Sequence, residues 1–276
     1  MIYLLLALLC SAMITVCMRL SEKYRKNPTS MLAMNYAMCT MLSMVYSGQL
    51  TLLPKTDGLS VTLVLGIISG GLFLGSFLLL QWNVSRNGVA LPATFMKLGV
   101  LVPTLLSALV FGEALTVPRI LGVVVAVTAI LLMQDKGEKG SSIAGLVLLL
   151  LSGGFADFMS KLYEELGTQS LKDYYLLYTF LVALILCVAL CLLRKQSLCC
   201  YDALFGLLIG IPNYFSTRFL LLSLNQLPAV VVYPTFSAGT IVLVSLAGML
   251  LFKEKLKGRK WMALGIILAA LVLLNL

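Results

Sequence analysis

Three charged side chains interrupt segments that are otherwise apolar: Lys97, Asp157 and Arg218. A charge in such a segment costs at least about 2.5–3.5 kcal/mol on insertion scales, so a retained one pairs with an opposite charge or faces a wet cavity. Pairing gives Asp157 two choices, Lys97 or Arg218, and either pair would lock helices together. The other use is ligand binding. Two cations and one acid leave a net positive cavity, which suits an anionic or zwitterionic ligand such as an amino acid or a phosphorylated compound. Asp157 is also the acid of the apolar core that could carry a proton.

Hydrogen-bonding residues accompany prolines in the same kind of segment. A proline withholds an N–H from the helical ladder and frees a carbonyl, which then needs a partner or water. Pro212 is followed by Asn213-Tyr214, and Pro234 is flanked by Tyr233 and Thr235. Pro103 also falls inside an apolar segment. Broken helices of this kind mark binding sites in inverted-repeat transporters. Tyr36, Asn213, Tyr214, Tyr233 and Thr235 therefore join Lys97, Asp157 and Arg218 as the expected substrate-binding set. The chain has no histidine, and its seven cysteines show no disulfide or zinc spacing. No Gly-x-Ser-x-Gly elbow is visible. No catalytic residue, metal or cofactor is expected.

The elements that must position these residues are apolar runs of roughly 20 residues, the length of a bilayer-spanning helix. They fall near 2–18, 31–47, 60–82, 89–111, 118–134, 142–162, 174–193, 202–223, 228–251 and 261–275. The first, Ile2–Met18, has no basic leader and reads as a retained span. Trp82, Trp261 and Tyr174-Tyr175 read as interface-belt residues. Gly66, Gly70, Gly71, Gly75, Gly206 and Gly210 recur at a spacing of four, which allows close helix contact.

Composition agrees. The 276 residues are 61% hydrophobic and 11% charged, against about 45–50% and about 25% in soluble domains. The net charge of +9 is explained by short basic loops rather than by a nucleic-acid partner. Basic residues crowd the connections after odd-numbered spans, at Arg19–Lys26, Arg86, Lys136–Lys139, Arg194-Lys195 and Lys253–Lys260. Connections after even-numbered spans carry only Lys55, Arg119, Lys161 and Lys172. The positive-inside rule then places both termini outside the cell membrane.

The chain is also written twice. Ala93-Thr94-Phe95 leads to Phe111-Gly112-Glu113, and Pro234-Thr235-Phe236 leads to Phe252-Lys253-Glu254, at a constant offset (94 to 235, 113 to 254). Five spans per copy is an odd number, so the second copy enters the membrane upside down. The expected fold is all-α and integral to the membrane: ten transmembrane helices as two inverted five-helix repeats, residues 1–136 and 142–276. Glu113 and Glu254 close the fourth span of each repeat, where an acid would favour the N-terminus of the following helix.

These features together resemble the drug/metabolite transporter superfamily, specifically its EamA-like bacterial members. The best-matching stretch is Tyr233–Leu273, with Pro234-Thr235-Phe236, Phe252-Lys253-Glu254 and Gly265. The resemblance implies a central cavity open to one side at a time, without ATP or a cofactor, and a structural role for Glu113 and Glu254. The expected function is secondary transport of a small polar metabolite by alternating access, with possible proton coupling, in a plasma-membrane monomer or homodimer. A lipid-carrier flippase subunit or other non-transporting partner is the alternative. An intramembrane enzyme would need a nucleophile–base pair that the sequence lacks.

Overall fold

The computed structural model describes residues 1–48, 53–54, 56–87, 90–114, 116–133, 143–252 and 258–274. Long apolar stretches offer no water to the backbone, so each must satisfy its own N–H and C=O groups as helix. Among the described residues the regular structure is entirely helical. It comprises α1 (Ile2–Ser21), α2 (Pro28–Tyr46), α3 (Leu59–Asn87), α4 (Ala90–Leu98), α5 (Leu101–Phe111), α6 (Val117–Met133), α7 (Ile143–Leu166), α8 (Lys172–Leu193), α9 (Cys200–Leu224), α10 (Ala229–Phe252) and α11 (Gly258–Leu274). A short 3-10 turn, Gln169–Leu171, precedes α8. Among the described residues six segments are long and apolar enough to cross a membrane: Ile2–Ser21, Leu59–Asn83, Ala144–Leu166, Gln169–Leu193, Cys200–Leu224 and Ala229–Leu251.

Two expectations about these segments are corrected. The run at 89–111 is not one helix: it is divided into α4 and α5 by Gly99-Val100. The break expected at Asn83–Asn87 is helical, and α3 continues to Asn87. Pro212 and Pro234 lie inside helices that continue through them. Gly112, with φ of 66°, takes the left-handed conformation that ends α5.

The helices form two compact units. One comprises Ile2–Leu74 and Leu162–Leu222; the other comprises Gly75–Lys161 and Ser223–Leu276, with Met1. Each draws helices from both halves of the sequence. In the first unit α2 packs on α8; in the second α5 packs on α10 and α6 on α11. Within each of these pairs one partner comes from the first half of the sequence and the other from the second.

The first unit repeats its packing reciprocally. On α3, a Cβ at Gly70 would meet the Thr179 carbonyl at 2.5 Å and Val182 Cβ at 2.9 Å, while one at Gly66 would meet Tyr178 Cβ at 2.7 Å. On α9, Gly206 faces Met31 and Met34, and Gly210 faces Met38 and the Asn35 carbonyl. Thus α3 lays two glycines on α8 while α9 lays two on α2. Met34, Asn35 and Met38 recur as Tyr178, Thr179 and Val182 at one fixed offset. Small residues bring backbones together where lipid supplies no hydrophobic drive. Gly71 and Gly75 meet no neighbour and do not share this role. Gly70→Val should therefore abolish the yield of monodisperse protein in detergent chromatography, whereas Gly71→Val should leave it unchanged.

Close approach of α3 also changes the surroundings of α8. Tyr174 and Tyr175 are buried rather than belt residues, at 4% and 1% exposure. Tyr175 stacks on Tyr163 and shares a hydrogen bond with Ser69. Trp82 and Trp261 are exposed.

Candidate functional site

The break in the fourth apolar run sets the geometry of the second unit. Gly99 N–H donates back to the Phe95 and Met96 carbonyls, and Val102 N–H donates to the Gly99 carbonyl. Pro103, in the first turn of α5, has no N–H with which to carry the ladder across from α4. The α7 backbone sits directly against the break: a Cβ on Gly154 would lie 2.5 Å from the Gly99 carbonyl, and one on Gly99 would lie 3.0 Å from the Leu150 carbonyl. A side chain at either glycine would force these segments apart. Lys97 lies two residues before Gly99, and Asp157 three residues after Gly154.

One turn of α10 holds the backbones of both charged residues. Tyr233 Oη donates to the Asp157 carbonyl at 2.6 Å, and Ser237 Oγ donates to the Lys97 carbonyl at 3.4 Å. Residues 233 and 237 are four apart and share one face of α10. Lys97 and Asp157 are both half-buried. They are close enough for their charges to act on one another. Among the described residues neither side chain is engaged in an ion pair or hydrogen bond. The second unit thus presents a cation and an anion side by side, with their bonding capacity unspent. Thr235, on the intervening turn, is buried, and among the described residues its hydroxyl has no partner.

Glu113 acts at a distance in sequence. Its carboxylate accepts the N–H groups of Ala229 and Val230, at 2.9 and 3.0 Å, and pairs with Lys161 Nζ at 2.8 Å. It therefore caps α10 and joins the ends of α5, α7 and α10. The helix whose dipole it serves is α10, not the following α6. Glu254, its counterpart in the repeat, lies outside the described residues.

Arg218, Tyr214, Asn213 and Tyr36 belong to the first unit. Arg218 pairs bidentately with Asp173, Nη1 to Oδ1 at 2.8 Å and Nη2 to Oδ2 at 3.3 Å. It also donates to Tyr214 Oη at 2.8 Å and covers the Tyr46 ring at 4.3 Å. Its charge is met by Asp173, so counting it as surplus in a net positive cavity is corrected. Asn213 Nδ2 donates to Asn35 Oδ1 at 3.1 Å. Tyr36 is buried against Phe180. Sequence reasoning missed Asp173, Lys161 and Ser237. The two charges lie at span ends, where charge ordinarily marks the membrane boundary; Ser237 carried no distinguishing signal.

Among the described residues the architecture is all-helical, with six segments long and apolar enough to cross a membrane, and opposed charges stand beside a broken helix. Residues 1–134 match the EamA-like transporter family, and residues 172–267 match the Small Multidrug Resistance protein family. Both matches are consistent with a permease of the drug/metabolite transporter superfamily. It is similar to a protein of Haemophilus influenzae, described only as uncharacterized, with 24% identity over 284 residues, covering 97% of this chain and 95% of the relative. A solved crystal structure shares the fold, with a TM-score of 0.80 at 14% identity over 99% of this chain and 94% of the other.

Proposed function

We propose that the protein is a secondary transporter for a small zwitterionic metabolite of the amino-acid type. The observation that carries this reading is the Lys97–Asp157 juxtaposition on α4 and α7, tied at both backbones by α10. Lys97 takes the carboxylate of the substrate and Asp157 its ammonium group. With Arg218 matched by Asp173, the positive surplus that would favour a plain anion or a phosphorylated compound is gone.

Movement across the bilayer follows from the duplication. Ten crossings in two inverted repeats, with the termini outside the plasma membrane, put the site under pseudo-twofold control. Packing of corresponding spans on one another, and the reciprocal glycine contacts, support that symmetry. The two repeats exchange conformations and open the site to each side in turn. Asp157 also serves as proton carrier, so transport is coupled to a proton gradient.

Flux into sealed vesicles carrying the purified protein tests this reading. Amino-acid flux should respond to an imposed pH gradient, and Asp157→Asn should remove the response. Flux of the wild type that ignores the gradient would make the protein a facilitator or exchanger.

A further inference from the structure

Serine and threonine within an apolar helix ordinarily bond the carbonyl four residues back, because nothing else is available. The pattern holds for Thr40, Ser43, Thr104, Thr179, Thr217 and Thr240. Ser107 and Thr235 depart from it. Ser107 is wholly buried and Thr235 is 7% exposed, yet among the described residues neither hydroxyl has a hydrogen-bond partner. Leaving a buried hydroxyl unsatisfied is costly, and such a group calls for an explanation.

The two lie on helices that pack against each other, Ser107 on α5 and Thr235 on α10. Thr235 stands between Tyr233 and Ser237, the residues that hold the backbones of Asp157 and Lys97. Ser107 shares α5 with the restart of the broken helix, four residues after Pro103. Both hydroxyls therefore belong to the same unit as the opposed charges, on the helix that resumes after α4 and on the helix that bonds the backbones of α4 and α7.

We propose that Ser107 and Thr235 are specificity-determining residues, whose hydroxyls are satisfied by a hydrogen-bonding group on the bound substrate other than its charged ends. The substrate class is a small metabolite carrying a hydroxyl or amide function in addition to its charge. The empty protein bears the cost of two orphaned hydroxyls, and binding removes it. This assignment rests on transport through the site in this unit but not on the zwitterionic charge type proposed above.

Ser107→Ala and Thr235→Val test it, because each removes a hydroxyl at nearly constant volume. Thermal unfolding of the purified protein is measured without ligand and with a panel: hydroxylated and plain amino acids (serine, alanine), organic cations (choline), and phosphate esters (glycerol phosphate). Without ligand, both variants should unfold at the wild-type temperature or above it. The stabilisation produced by the best panel member should correspond to about tenfold weaker binding in each variant, the loss expected for one hydrogen bond. A lowered unfolding temperature without ligand would overturn the proposal, since the hydroxyls would then already be partnered by protein or trapped water. Unchanged ligand stabilisation in both variants would overturn it equally. A best ligand of another charge class would contradict the zwitterion reading while leaving this assignment to be judged by the same two variants.

Discussion

Lys97→Met should abolish flux, by at least about a hundredfold, in a protein that still folds. Loss of a charge-assisted bond made to substrate in a dry site accounts for that size. Folding survives because the Lys97 side chain spends no ion pair on the described scaffold; its backbone carbonyl, held by Ser237, is untouched by the substitution. The variant leaves Asp157 without the charge that acts on it. Lys97→Met combined with Asp157→Asn should therefore be at least as stable as the single Lys97 variant, and equally inactive. Reconstituted flux and thermal unfolding measured side by side check both halves. A Lys97→Met protein with normal flux would remove Lys97 from the site.

Glu113→Gln should produce the largest loss of stability of any single side-chain exchange considered. The Glu113 carboxylate is 11% exposed and the Lys161 side chain 5%. Breaking such a pair by removing one partner costs about 3–5 kcal/mol. Glutamine keeps one acceptor for the α10 N-terminus but loses the charge that favours it there. Lys161→Met alone should cost less, because the carboxylate keeps the Ala229 and Val230 N–H groups. The double variant should be more stable than Glu113→Gln. Chemical or thermal unfolding of the four proteins gives the coupling directly; strictly additive losses would show that the pair contributes nothing as a pair.

How far the sequence reaches depends on the range over which each feature is determined. Helix α8, expected at 174–193, is found at Lys172–Leu193, and α10, expected at 228–251, at Ala229–Phe252. Such segments are readable because length and hydropathy decide them locally. The break at Gly99-Val100 was within reach of a local reading, since Gly99 and Pro103 both weaken the ladder, but unbroken hydropathy across 89–111 hid it. Tyr174 and Tyr175 sit at a span end, yet the glycines of α3 draw that helix against α8 and bury them. The partner of Glu113 was illegible for a different reason. Nothing local links Glu113 to Ala229, which is 116 residues away. Arg218 shows the same limit: its partner, Asp173, lies in the first turn of another helix and resembles a boundary charge. Lys97 and Asp157 stood out because an unneeded charge in an apolar span is costly, and that cost is visible in one dimension.

The central claim is that opposed charges on α4 and α7 recognise opposed charges on one small molecule. Reconstituted flux with three ligands of one carbon skeleton tests it most directly: an amino acid, the amine lacking its carboxylate, and the carboxylate lacking its amine. The account predicts saturable uptake of the amino acid, with neither fragment transported or competing at the same concentration. Equal transport of the amine or of the carboxylate alone would contradict it, because one charge of the Lys97–Asp157 pair would then have no part in recognition.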